Sequence, residues 1–232
     1  MQFDINRAND GILLVDKPVG WTSFDVVAKI RGQIKHSYLA RGEKPTKRQL
    51  KVGHVGTLDP FATGLLVILL GDATKKAGEF LKLDKEYEAT IRLGASSTTG
   101  DPEGDITEVS GIVPSRKDVE AAIAKFRGVI SQRPPIFSAI KIDGKRAYKL
   151  ARDGKDVEIP ERTVTIHSLE IIDYTYPDLR IRTQVSSGTY IRSLAVDIGN
   201  ALGTGAYCSA LRRTRIADWK IESEPGNNDP HP

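Results

Sequence analysis

The sequence predicts a single mixed α+β domain, on three observations. Apolar runs about four to eight residues long, alternating or continuous, mark strands, and capped runs of period 3.6 mark helices. No internal repeat, low-complexity block or linker divides the 232 residues, a length that buries a full core.

Gly11 to Val15 reads as a short buried strand and Asp16 to Gly20 as a turn. Thr22 or Ser23 then caps a helix with Val26, Val27, Ile30 and Ile34 on one face. Leu65 to Leu70 is a continuous apolar strand, and a helix is expected from about Ala73 to Leu81. Glu86 to Leu93 alternates, with Tyr87, Ala89, Ile91 and Leu93 on one side. Ser115 caps a helix carrying Val119, Ile123 and Phe126; after Pro134 and Pro135, a strand from Ile136 to Ile142 ends in an Asp143-Gly144 turn. Arg146 to Arg152 predicts a short helix closed by Gly154, followed by strands near Val164 to Tyr174 and Leu179 to Val185. Ser186 to Thr189 opens a helix that runs through Leu202 and stops at Gly203, and a last strand spans about Tyr207 to Ile216. From Pro225 the polar tail is expected to be disordered.

Composition narrows the class of function. The chain is 39% hydrophobic and 28% charged, with no apolar segment long enough to span a bilayer and no signal-peptide pattern, so a cytoplasmic protein is expected. Its one cysteine, Cys208, excludes an internal disulfide and a multi-cysteine metal site. The four histidines lack metal-ligand spacing, and no phosphate-binding or complete dinucleotide fingerprint occurs, so no cofactor and no metal are expected. Asp101, Glu103 and Asp105 alternate as in a calcium loop, but Ile106 and Ile112 stand where glycine and glutamate would be needed. The net charge of +4 permits an RNA partner without requiring one. The charge is concentrated, however. Arg31, Lys35, Arg41, Lys44, Lys47, Arg48 and Lys51 face only Glu43, which reads as an arm that contacts phosphates.

That arm leads into Gly53-His54-Val55-Gly56-Thr57-Leu58-Asp59-Pro60-Phe61-Ala62-Thr63-Gly64. Glycine lets the backbone bend close to a ligand, and Pro60 fixes φ just after the acid, so Asp59 is presented in one direction. An aspartate works as nucleophile or general base if a cation keeps it ionised. Arg192 is the candidate, because the first turn of a helix is unfavourable for a cation unless an acid faces it. Tyr87 can lay its ring against a planar substrate, or equally serve as a core residue.

The segment from Gly53 to Gly64 resembles the G-H-x-G-x-L-D-P-x-A-x-G signature of the TruB family of tRNA pseudouridine synthases. Gly11 to Pro18, Lys85-Glu86-Tyr87, Gly188 to Arg192 and Leu211-Arg212-Arg213 follow in the family's order, so the resemblance covers about residues 11 to 219. It implies a mixed, largely antiparallel central sheet flanked by helices, and a cofactor-free isomerisation of uridine 55 in the T-loop of tRNA. It further implies that Asp59 is the nucleophile, Arg192 its partner, His54 the filler of the space left by a flipped nucleotide and Tyr87 the platform for the base. By the same resemblance Tyr190 and Leu211 line the uracil pocket. Lys17 lies near the site, where a structural or a phosphate-binding part would fit.

The chain departs from the family in three places. The stretch between Asp25 and His54 is longer than in typical bacterial members, and the basic insertion at about 36–50 is the extra part. Thr98 stands where members often carry aspartate. The expectation is a catalytic domain over residues 1–224 without the small C-terminal RNA-binding domain of many members, acting as a monomer on the T-arm of tRNA.

Overall fold

The computed structural model describes residues 2–138, 141–142, 145–146 and 159–221. The chain divides into two compact units, residues 1–81 with 213–232, and residues 82–212. Neither crossing has linker composition, so the sequence carries no sign of the boundary.

In the first unit, β1 (Ile12–Lys17) and β2 (Val52–Val55) both run antiparallel to β3 (Thr63–Leu70), with Leu14 and Val55 opposite Val67. Leu65 to Leu69 are all buried, which is why β3 is apolar without alternation. Helix α1 (Ser23–Ala40) packs Val26, Val27, Ile30 and Ile34 inward and contacts β2. Thr22 is its N-cap, in a capping box with Asp25. The helix expected from Ala73 is a 3-10 turn over Gly71–Lys76 followed by the short α2 (Ala77–Leu81). Residues 71–76 bury no side chain, so no packing rewards the longer helix.

The second unit starts with β4 (Lys85–Leu93), whose alternating burial matches the sequence pattern. The expected loop after it contains two short paired strands, β5 (Ala95–Ser97) and β6 (Ile106–Glu108). Helix α3 (Arg116–Ala124) is capped by Ser115 and Asp118 and ends before Phe126, which lies beyond the Lys125 cap. Next comes β7 (Gly128–Gln132), which the sequence did not predict because its apolar residues are adjacent and do not alternate, Val129 exposed and Ile130 half-buried. Strands β8 (Lys141–Ile142) and β9 (Lys145–Arg146) pair antiparallel. The Asp143-Gly144 turn, the predicted Arg146 to Arg152 helix beyond its first residue, and the tail from Pro225 lie outside the described residues.

Strand β10 (Arg162–Thr175) is antiparallel to β7 and to β11 (Asp178–Val185), which in turn is antiparallel to β4. Helix α4 (Ile191–Leu202) begins later than the Ser186 start expected. Ser186, just past the end of β11, is still tied to β10, donating its N–H to Thr165 O and accepting the Thr165 N–H at its hydroxyl, so its side chain does not serve as the helix cap. At the far end Gly203 caps α4 with φ of 70°, as predicted. Helix α4 packs on α3 and β4. The chain then enters β12 (Ala206–Ile216), returns to the first unit at Arg213, and closes on β13 (Trp219–Lys220), which pairs with β12. The α+β class stands, with antiparallel ladders in both units. Among the described residues no helix is long and apolar enough to cross a membrane.

Candidate active site

Asp59, His54 and Lys17 belong to the first unit, and Tyr87, Tyr190, Arg192 and Leu211 to the second.

The loop that carries Asp59 is tied at three levels. At its neck, the buried Arg213 donates from Nε to Leu65 O at 2.7 Å and from Nη2 to Gly56 O at 2.9 Å, joining the two ends of the loop. One residue before the acid, the buried Ser23 hydroxyl donates to Leu58 O at 3.1 Å and accepts the Leu58 N–H at 2.8 Å. One residue after it, Pro60 O accepts from Gly20 N at 2.8 Å and from Lys17 Nζ at 3.4 Å. Since Thr22 caps α1, Ser23 is available for this clamp, a division of labour that the sequence left open. Asp59 itself accepts the Ala62 N–H at its carbonyl and is half-buried. Gly64 adopts φ of 101°, and a Cβ there would run into the Arg213 backbone, so this motif glycine is required by close approach as well as by conformation.

Lys17 is 0% exposed and donates to Trp21 O at 2.6 Å and Pro18 O at 2.9 Å in addition to Pro60 O. A side chain so enclosed braces the turn against the Asp59 loop, which favours the structural part over the phosphate-binding one. His54 lies on β2 with Nδ1 buried and, among the described residues, without a hydrogen-bond partner. Burial, and after it the Arg213 guanidinium, hold its pKa below the ordinary value, which favours the neutral ring.

In the second unit Arg192 is the second residue of α4, and its side chain is 5% exposed. It donates from Nη1 to Asp101 Oδ2 at 2.7 Å and to Thr99 O at 3.1 Å, and from Nη2 to Phe137 O at 2.8 Å. Asp101, with a side chain 3% exposed, offsets a buried cation at the positive end of a helix. Its carboxylate also accepts from the Thr99 hydroxyl and the Glu103 N–H, so the 98–105 loop that resembled a calcium site is a cradle for an arginine. The start of α4 is fixed from the other side by the buried Gln132 of β7. Its amide accepts the Tyr190 N–H at 2.8 Å and donates to Tyr190 O at 3.0 Å, while Ser193 donates to Arg133 O. Arg162 sits over the Tyr190 ring, 5.2 Å from its centroid.

Tyr87 is 8% exposed on β4 opposite Thr183, and Leu211 is buried on β12. An open recess of about 340 Å³ in this unit is lined by Thr98 to Gly100, Arg133 to Phe137 and Arg192 to Asp197 in part. Asp197 has its pKa raised, first by burial and then by Glu161.

Sequence reasoning therefore missed Ser23, Gln132 and Asp101 as positioning residues, and Arg213 entered only as part of a motif. None of them has a local signal, since each acts on a backbone or a guanidinium far along the chain.

Comparison with known proteins adds an independent line. A family model described as TruB family pseudouridylate synthase, N-terminal domain, matches residues 44–191. A protein named tRNA pseudouridine synthase B from Burkholderia mallei (strain NCTC 10247) is 46% identical over 216 residues, which is 93% of this chain and 67% of the relative. Another of that name, from Phocaeicola vulgatus, is 46% identical over 222 residues, covering 94% of this chain and 90% of its own. Among solved structures, a chain in the crystal structure of a Cbf5-Nop10-Gar1 complex is similar with a TM-score of 0.67 at 33% identity. The match covers 91% of this chain and 50% of that one. A chain in the structure of an H/ACA RNP bound to a substrate RNA containing 2'-deoxyuridine is similar with a TM-score of 0.64 at 31% identity, over 91% and 49%.

Proposed function

The chain belongs to the TruB family of pseudouridylate synthases, isomerases of tRNA uridine, and we propose that it acts on uridine 55 of the T-loop with Asp59 as nucleophile. The observation that supports this most is the fastening of the Asp59 loop on both sides of the acid, by Ser23 at Leu58 and by Gly20 and Lys17 at Pro60. Such fastening suits a carboxylate that must meet one carbon atom at a set angle, because a loop free to move would lose most of that advantage.

Uridine must leave its stack before a side chain can reach its sugar or base, at a cost of a few kcal/mol. The neutral His54 ring fills the vacated space without importing a charge, and Tyr87 packs on the extruded base. Tyr190 and Leu211 line the uracil pocket, and Arg192 pairs with the acid and keeps it ionised. Asp59 attacks at C1′ of the ribose, or the base leaves by an elimination route; the residues are compatible with either. The N1–C1′ bond breaks, uracil rotates, and C5 bonds to C1′. The proton lost from C5 is matched by one gained at N1, so the product has the substrate's composition and no oxidant, hydrolytic water or nucleotide is consumed.

The test is incubation with an unmodified tRNA transcript and mapping of pseudouridine. The wild type should convert position 55, and Asp59→Asn should bind tRNA yet form no product. Turnover by Asp59→Asn would reject the nucleophile, and release of free uracil would replace isomerase by glycosylase. Arg192→Lys should be severely impaired, because an ammonium cannot reproduce the planar fork that reaches Asp101, Thr99 and Phe137.

A further inference from the structure

The insertion before the motif does not stand alone in the fold. Gly71 N donates to Lys51 O, and Arg48 pairs with Asp72, which also pairs with Lys75 at 3.3 Å. These contacts bring the 44–51 arm onto the same surface as the 3-10 turn after β3, so Lys44, Lys47 and Lys51 share it with Lys75 and Lys76, all exposed. Asp72 is engaged by two cations, and Glu43 is paired with Arg41 at 3.5 Å. The carboxylates here are thus outnumbered. Arg41 continues the surface in the other direction: its guanidinium lies over the Tyr38 ring at 4.6 Å and it lines an open groove of about 790 Å³ along α1, with Lys29, His36 and the N-terminal residues around Phe3.

The position of this surface relative to the acid follows from one strand. The arm meets the Leu70 end of β3, where Val52 pairs with Leu70, and the Asp59 loop enters at the Thr63 end. At about 3.3 Å per residue the two ends of that strand are roughly 23 Å apart. A side chain at the Leu70 end is out of reach of a nucleotide held at Asp59.

Resting on the assignment of tRNA as substrate, we infer that the arm, the 71–76 turn and the groove beside α1 form a second RNA-binding surface, which takes backbone phosphates of tRNA remote from the isomerised nucleotide. It reads charge and shape and not sequence, because ammonium groups on flexible stems contact phosphate as point charges.

The variant Lys44→Glu/Lys47→Glu/Lys51→Glu tests this, with Lys44→Ala/Lys47→Ala/Lys51→Ala as a companion that adds no repulsion. All three lysines are exposed and outside the catalytic machinery. Binding of unmodified tRNA transcript is measured by filter retention from 50 to 200 mM salt, which needs no turnover. With each lost phosphate contact worth about 0.7 to 0.9 in the log–log slope, both variants should show a slope lower by about two to three units. Across that range the wild type should then lose about 20- to 40-fold more affinity than they do. The kcat at saturating tRNA should stay at the wild-type value.

A wild-type slope in both variants overturns the inference and leaves the surface to a different partner, such as an acidic protein. Loss of kcat with unchanged slope overturns it too, since the segment would then act on the catalytic loop. A wild type that binds with the full slope but forms no pseudouridine would refute the activity assigned above and leave this surface standing.

Discussion

Removing the Ser23 hydroxyl separates two tasks that adjacent residues perform at the start of α1. Thr22 caps the helix, and Ser23 reaches across to Leu58 next to the proposed nucleophile. In Ser23→Ala both the Leu58 N–H and its carbonyl lose their partner in a buried setting. A neutral hydrogen bond contributes about 1 kcal/mol net and an unsatisfied buried group costs about 1–3 kcal/mol, so the variant should lose about 2–4 kcal/mol of stability. For a chain of this size that corresponds to a Tm lower by about 5–15 °C. The second effect is on rate. If the loop relaxes by about 1 Å, kcat should fall by about 100-fold in single-turnover pseudouridine formation at a temperature where the variant is folded. Thr22→Ala is the control: loss of the cap should cost about 1 kcal/mol with kcat unchanged. Should Ser23→Ala lose stability but keep the wild-type rate, as the control does, the clamp is structural only and the positioning argument fails.

Other outcomes follow from the same geometry. Asp101→Asn removes the carboxylate that the buried Arg192 guanidinium meets at 2.7 Å, so urea unfolding should show a loss of about 3–5 kcal/mol; a change within 1 kcal/mol would mean that the other partners of Arg192, the carbonyls of Thr99 and Phe137 among them, suffice. Burial holds the pKa of His54 below the ordinary value in the folded protein, whereas an unfolded chain binds its proton near pH 6.5, so the unfolded state takes up more protons as pH drops. Stability should therefore decline below about pH 6.5, and His54→Gln should remove part of that decline in urea titrations between pH 5 and 8; an identical pH dependence in the variant would contradict the buried neutral imidazole. Gly64→Ala should be among the most damaging single substitutions, because the added methyl meets the Arg213 backbone at φ of 101°; a soluble variant with wild-type Tm would refute that close approach.

Several elements were legible because their signals are local. The continuous apolar run of β3 and the alternation of β4 reflect burial on two faces and on one. The stop of α4 at Gly203 reflects the ease with which glycine adopts positive φ. Strand β7 was illegible because an exposed strand has no apolar pattern to display, although its Gln132 holds the start of α4. The late start of α4 was illegible for a related reason: Ser186 looks like a cap, but a hydrogen-bond partner on β10 claims it. The Asp101 loop displays its carboxylates in the sequence but not what they hold, since nothing near it in the chain indicates an arginine 91 residues away.

By itself, the sequence determined the class of fold, the family and the acid around which the reading turns. Those follow from periodicity and from a motif whose residues are adjacent in the chain, where spacing and backbone preference suffice. The tertiary structure alone decided what holds that acid in place. Ser23, Lys17 and Arg213 grip backbone atoms of the Asp59 loop, and Asp101 and Gln132 fix Arg192 and its helix. A backbone carbonyl or amide has no residue identity, so the side chain that will bond to it leaves no mark in the sequence until the chain has folded.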